Sequence, residues 1–300
     1  MPIGSRGGCA HHDPMIEQQQ LDLFSDREIG VEPPRASSAG RIVVPAELAD
    51  DVLIAAIPES GLAHGCELAA EAGRRRLTAA VPALAALCRR FAGFGARHRI
   101  PEQAAAIEAL VMIGGRDAAH AVSEMIERAV VQGPGLQLAV SAAARLSSTL
   151  SAEALRGLLR HAVPAIRADA CRCSRPLPEL ISLLIDLLDD LDRSVATSAA
   201  SALGRMGRVE ARPMLKNLLR DHPSEDVIDA ISSIADEECE VLLGRIARST
   251  SVLADAALAS LENIDHDRAV AIAAAIRRLR LSRQVLVCGH VEEATLDPST

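Results

Sequence analysis

The chain has 300 residues, a formal net charge of −8, and 49% hydrophobic residues against 1% aromatic ones. An acidic balance argues against a protein that binds nucleic acid through bulk positive charge. No apolar run is long enough to span a membrane. The seven Cys lack the paired spacing of small secreted domains, so we expect reduced thiols and a cytoplasmic protein. The apolar residues are mostly Ala, Leu, Val and Ile, which favours closely packed helices over a β-sandwich.

Residues 1–44 are predicted to form a flexible arm, because they are rich in Gly, Ser, Pro and Gln and show no hydrophobic periodicity. Within the arm, Gln20-Leu21-Asp22-Leu23-Phe24 gathers three large apolar side chains, including one of only three Phe in the chain. An aromatic ring in a polar arm gains little unless a partner buries it. We therefore interpret these five residues as a docking peptide.

The peptide resembles the motif by which many bacterial replication and repair proteins bind the DNA polymerase sliding clamp. The resemblance implies that Gln20 is the polar anchor, Leu21 and Leu23 are apolar anchors, Phe24 is the ring and Asp22 fills a tolerant middle position. An extended arm suits this mode, since both backbone and side chains can enter a rigid groove. The alternative is that residues 18–24 form an amphipathic segment that folds back on the first helices as a cap.

One helical pattern recurs six times between the arm and residue 281. Its anchor is an alanine, at Ala109, Ala142, Ala170, Ala199, Ala230 and Ala257. In every unit except that of Ala170, a larger apolar residue follows four positions later, at Ile113, Leu146, Leu203, Ile234 and Leu261. This spacing places a small contact and a large side chain on one helix face. A second apolar helix follows each pattern, and a divergent earlier unit occupies residues 63–92.

A pair of helices of this length cannot bury its apolar face alone, whereas stacked pairs can, so the repeats predict an all-α solenoid. The segment 188–195, followed by Ala199 and residues 202–204, resembles the short variety of the HEAT-repeat family. The resemblance covers residues 63–280 and implies about seven HEAT-like helical pairs. The domain organisation that follows is an arm over 1–44, a solenoid over 45–281 and a C-terminal tail over 282–300.

Charge is unevenly distributed along the predicted solenoid. Between Ala72 and Pro101 the chain carries Arg74, Arg75, Arg76, Arg89, Arg90, Arg97 and Arg99, and no carboxylate. This stretch could hold nucleic acid or an acidic protein surface, or it could be a solvated face. An Arg also recurs near the end of most second helices, where cations favour the helix dipole without any ligand. Residues 221–240 are acidic and could contact a protein or only aid solubility.

Cys9, His11, His12 and Asp13 could bind a transition metal, but we favour an unstructured tail because a preformed geometry is missing. The sequence offers no other recognisable catalytic or metal-binding group, so we expect no catalytic residues, no metal and no cofactor. Cys171 and Cys173 are separated by one residue on a predicted helix and point to different faces. We favour a non-catalytic scaffold with protein partners, the sliding clamp among them, acting in DNA replication or repair. One alternative is a DNA-processing enzyme of the HEAT-like glycosylase kind, although the lack of Trp and Tyr removes the usual surface for a flipped base. The other is a protein-interaction scaffold unrelated to DNA, with the peptide as a cap.

Overall fold

The computed structural model describes residues 44–293, and every regular element within that range is helical. The α-helices are α1 (Asp50–Ala56), α2 (Leu62–Arg74), α3 (Val81–Arg90), α4 (Pro101–Ile113), α5 (Gly115–Glu127), α6 (Gly133–Arg145), α7 (Ala152–Leu159), α8 (Pro164–Cys173), α9 (Pro178–Asp186), α10 (Arg193–Arg205), α11 (Arg212–Asp221), α12 (Glu225–Ser232), α13 (Glu237–Arg248), α14 (Ala254–Asn263) and α15 (Asp267–Glu293). Short 3₁₀ helices span Pro45–Glu47, Thr78–Ala80, Leu187–Asp189 and Val209–Ala211. The predicted all-α fold is confirmed.

The helices form seven consecutive pairs, from α2/α3 to α14/α15, and α1 packs on the first of them. The first helices of the pairs stack on one another in chain order, and each second helix packs on the first helix of the next pair. Among the first six pairs, neighbouring first helices contact one another more extensively than neighbouring second helices do. This arrangement is the stacked α-solenoid that the repeats predict.

The six anchor alanines lie on the first helices and are all buried. Two of them show why a small residue is needed. A Cβ on Gly73 would lie 2.8 Å from the Cα of Ala109, and a Cβ on Gly204 would lie 2.6 Å from the carbonyl oxygen of Ala230. The anchors are therefore contact points between the backbones of neighbouring first helices.

Local sequence signals set where the helices begin. Prolines occupy the first turn of α4, α8 and α9, where no backbone N–H is needed. Asp192, Ser224 and Asp236 cap α10, α12 and α13, each accepting a hydrogen bond from a backbone N–H of the first turn. Such caps each contribute about 0.5–2 kcal/mol and fix the boundary between a connection and a helix.

Because the two helices of a pair run in opposite directions, the connections between pairs lie on one edge of the stack, which we call the inter-pair edge. Its six connections are residues 91–100, 128–132, 160–163, 187–192, 222–224 and 249–253. Buried Gln103 joins the first two connections by donating to the carbonyls of Phe91 and Val130. Arg167 joins the third and fourth by donating to the carbonyl of His161 and to Asp190. The turns within pairs lie on the opposite edge.

The last helix, α15, continues to Glu293, so the predicted end of the solenoid at residue 281 falls inside a helix. Its first turns complete the seventh pair, with Ala269, Ala273 and Ile276 buried. None of the helices within residues 44–293 is both long enough and apolar enough to cross a membrane.

Candidate partner-binding surfaces

The docking peptide, Gln20-Leu21-Asp22-Leu23-Phe24, lies outside the described residues, as do Cys9, His11 and His12 of the arm. Its binding role therefore stays a prediction from the sequence. The surfaces that the structure does describe belong to the helical pairs, and they include every Arg of the predicted basic stretch.

The seven Arg of the basic stretch fall into two groups at opposite ends of the first pair. Arg74, Arg75 and Arg76 lie at the end of α2, while Arg89 and Arg90 lie at the end of α3. Arg90 donates to the carbonyls of Pro58 and Ser60, just before α2 begins. Since α2 has 13 residues, the two groups are separated by roughly 20 Å, the length of such a helix. Their adjacency in sequence therefore does not make one continuous patch.

The group at the end of α2 is organised by Glu71, a carboxylate one residue outside the stretch. Its side chain is only 10% exposed. Glu71 accepts two hydrogen bonds from Arg74, at 2.8 and 2.6 Å, and a third from Arg75 at 2.6 Å. These charge-assisted bonds, first from Arg74 and then from Arg75, lower the pKa of Glu71 to about 2.

Arg75 connects α2 to the segment before α1, a role that was not predicted from the sequence. Besides Glu71, its guanidinium donates to Asp50 at 2.7 Å and to the carbonyl oxygens of Pro45, Ala46 and Leu48. These groups belong to the first 3₁₀ helix and the start of α1. Arg75 therefore fastens the beginning of the described chain to α2 and has no donor left for a partner.

The Arg residues at the other end of the pair form fewer ion pairs with described residues. Arg90 is held by its two carbonyl acceptors and lies over the ring of Phe91, 5.1 Å from its centroid. Arg99 pairs with Glu108 at 2.7 Å. Arg89 and Arg97 are exposed, and neither forms an ion pair with another residue of the 44–293 range. These two cations are available for an acidic partner or for solvent.

The acidic stretch 221–240 is partly neutralised by cations from other pairs. Lys216 lies 2.8 Å from both Asp236 and Glu238, and Arg268 lies 2.6 Å from Glu237. Burial alone would raise the pKa of Asp236, but hydrogen bonds from Lys216 and from Cys239 hold it below its ordinary range. These contacts join α11, α13 and α15, so this part of the acidic stretch stabilises the stack.

The thiols are positioned for packing. Cys88, Cys171 and Cys173 are buried, and burial raises the pKa of each to about 12. Such thiols stay protonated at neutral pH and are poor nucleophiles and metal ligands. Within the described part of the chain, no three His, Cys, Asp or Glu side chains converge on a point that could hold a metal ion.

An open groove of about 540 Å³ lies between α5 and α7, where the second helices are splayed apart. Ile126, Leu136 and Leu158 line its apolar part, while Glu127 and His161 line its polar part. This groove could not be predicted from the sequence, because its walls come from three segments that the stack brings together. Gly157 lies on the wall of the groove, and no atom lies within 4 Å of its Cβ position. A glycine within a helix was the signal in the sequence that was compatible with open space there.

These features define a HEAT-like α-solenoid with surfaces for partners and no recognisable catalytic centre among its described residues. Residues 173–235 match a family model described as HEAT repeats. A chain of a solved structure, the complex of CpcE and CpcF of phycocyanin lyase from Nostoc sp. PCC7120, has a similar fold. The two chains share 18% identity with a TM-score of 0.50, over 83% of this chain and 98% of that one. No curated protein matches the sequence.

Proposed function

We propose that this protein is a non-catalytic scaffold that is recruited to the bacterial DNA polymerase sliding clamp through Gln20-Leu21-Asp22-Leu23-Phe24. The single observation behind this proposal is that peptide itself, an apolar motif that precedes the repeats and resembles the clamp-binding motif. The helical array is the part that carries cargo, since stacked repeats create extended binding surfaces. The process would be DNA replication or repair.

The chemistry of the peptide suits reversible docking. The amide of Gln20 both donates and accepts hydrogen bonds, which allows it to orient the peptide in a small polar pocket. Burying Leu23 and Phe24 in an apolar groove would stabilise the complex by roughly 1.5–3 kcal/mol for each side chain. Ordering an extended segment opposes this gain, so we expect a dissociation constant on the order of micromolar.

A protein is a better cargo for the array than DNA. Contacts to phosphates require Arg side chains that are free and aligned along the duplex. Here Arg74 and Arg75 bond to Glu71, and Arg90 donates to the carbonyls of Pro58 and Ser60. The remaining exposed cations of the first pair are too few for a continuous phosphate track.

The test is calorimetric titration of purified sliding clamp with a peptide covering residues 17–27. We expect micromolar binding that is lost when Leu23 and Phe24 are both replaced by Ala. A peptide carrying only Asp22→Ala is the matched control and should bind like the original, because that position is tolerant in the motif. Absence of binding by the original peptide would overturn the recruitment and leave a scaffold with no assigned process.

A further inference from the structure

The inter-pair edge is divided into a basic half and an acidic half. Its first three connections contain no carboxylate, and they and the adjoining helix ends present Arg89, Arg97, His98, Arg99, Arg128, Arg160 and His161 against one exposed carboxylate, Glu127. The fourth and fifth connections, with the helix ends beside them, present the carboxylates Asp186, Asp189, Asp190, Asp192, Asp221, Glu225 and Asp226 and the cations Arg193 and Arg220. The sixth connection, residues 249–253, is itself uncharged, and the helix ends beside it present Arg248 and Asp255. The change of sign falls between the third and fourth connections.

The two halves keep most of their charge after internal pairing. Arg160, Asp189 and Asp221 are exposed and form no ion pair with any other described residue. Arg128 is 69% exposed although it lies 3.0 Å from Glu124 on the same helix. Exposed pairs of this kind are weak, so Arg128 can exchange its partner at little cost.

The same edge carries exposed apolar side chains at four of its six connections. Phe94 is 74% exposed in the first, Val252 is 93% exposed in the sixth, and Val163 and Leu191 project from the third and fourth. Loop residues of this size and exposure gain free energy when another surface covers them. Val163 and Leu191 lie in the third and fourth connections, on either side of the change of sign.

We propose that the inter-pair edge is a self-complementary interface and that its occupant is a second copy of this chain. A two-fold axis between the third and fourth connections would place the basic half of each copy on the acidic half of the other, as an isologous dimer requires. The interface uses the helical pairs alone and does not depend on the docking peptide.

The position of the axis fixes which connections meet. The third connection faces the fourth of the second copy, which brings Arg160 to Asp189 and Val163 to Leu191. The second faces the fifth, which brings Arg128 to Asp221. The first faces the sixth, so that Phe94 meets the uncharged connection bearing Val252. Arg128 and Arg160 thus each meet exposed carboxylates, while Val163 with Leu191 and Phe94 with Val252 add apolar contacts. Interfaces commonly combine an apolar core with such charged contacts.

Sedimentation velocity of the full-length protein tests the proposal. We expect a monomer–dimer equilibrium that shifts to monomer as salt is raised, because exposed charges are screened over about 10 Å at 0.1 M salt. A basic-half variant, Arg128→Glu with Arg160→Glu, should raise the dimer dissociation constant about tenfold or more, through repulsion between like charges. An acidic-half variant, Asp189→Arg with Asp221→Arg, should do the same.

Mixing the two variants is the decisive experiment. In the mixed dimer every contact between halves joins opposite charges again, so the heterodimer should form with an affinity close to that of the original homodimer. The control for the basic-half variant is Arg145→Glu with Arg205→Glu, the same change of charge on exposed residues of the opposite edge. The control should dimerise normally.

A single apolar substitution gives an independent readout. Leu191→Asp should weaken the dimer, whereas Val209→Asp, at a residue 54% exposed on the opposite edge, should not. Monomers at every concentration and salt would overturn the proposal, and so would failure of the two charge variants to associate when mixed. The proposal would also be contradicted if variants on the two edges weakened the dimer equally, because the interface would then not lie on the inter-pair edge.

Discussion

Glu71 shows how one carboxylate can organise a cluster of cations. Its pKa is lowered to about 2 by hydrogen bonds from Arg74 and Arg75, so its proton binds more tightly to the unfolded chain than to the folded one. A group whose pKa falls on folding contributes stability above its unfolded pKa, and that contribution is lost as the pH drops towards the folded pKa. The stabilisation by Glu71 is therefore full above about pH 4.5 and fades as the pH falls towards about 2.

The first prediction is that Glu71→Gln lowers the thermal unfolding temperature at neutral pH. The difference from the original protein should shrink as the pH falls from about 4.5 towards about 2, because Glu71 of the unfolded chain is then protonated and must lose its proton on folding. Differential scanning calorimetry at a series of pH values measures it. Glu108→Gln removes a carboxylate from the exposed pair with Arg99 and should have little effect at any pH. A pH-independent difference for Glu71→Gln would mean that its charge is not what stabilises the protein.

The contacts of individual side chains were the features that the sequence predicted least well. The absence of carboxylates between Ala72 and Pro101 suggested a free basic surface. The carboxylates that pair with the stretch are Glu71, Asp50 and Glu108, which all lie outside that window in sequence and are brought close by the fold. Charge along a sequence cannot show such pairings, because they depend on which helix ends meet.

At the scale of helices, the spacing of the first helices depends on glycine. Gly204 lies in α10, where its missing side chain admits the backbone of α12 and the side chain of Leu215. Helix propensity alone favours Ala over Gly by about 1 kcal/mol. At this position packing should outweigh propensity, because a Cβ would lie 2.6 Å from the Ala230 oxygen and 2.7 Å from Leu215 Cδ1.

We predict that Gly204→Ala destabilises the protein by about 1–3 kcal/mol, the usual cost of overpacking. Gly157→Ala is the matched control. Gly157 also lies within a helix, but no atom comes within 4 Å of its Cβ position, so the change should stabilise by about 0.5–1 kcal/mol. Urea unfolding midpoints of the two variants should therefore move in opposite directions. Stabilisation by Gly204→Ala would show that the first helices can separate without cost.

The elements themselves were largely predictable, and the reason is periodicity. The anchor alanines, five of which precede a large apolar side chain by four residues, marked the first helix of each of the last six pairs, and all six proved to be buried. The groove between α5 and α7 and the division of charge along the inter-pair edge were not predictable. Both depend on which segments lie side by side in the stack. That alignment can be derived from the repeat length only when the ends of the helices are known.

At the scale of the whole molecule, the question is whether the arm and the helical array act separately. In a stack of repeats each pair contacts only its neighbours, so stability is close to a sum of local terms. A peptide that serves only to dock contributes nothing to that sum. A peptide that caps the first pair would contribute by burying Leu23 and Phe24.

The last prediction separates these two roles in the full-length protein. If the peptide docks on the clamp, replacing both Leu23 and Phe24 by Ala should abolish clamp binding and leave the unfolding temperature unchanged. If it is a cap, the same change should lower that temperature by about 2–4 °C for each kcal/mol of lost burial. Calorimetry and a clamp-binding titration on one preparation measure both quantities, and the Asp22→Ala protein should match the original in each. Loss of stability with clamp binding retained would contradict docking and favour the cap.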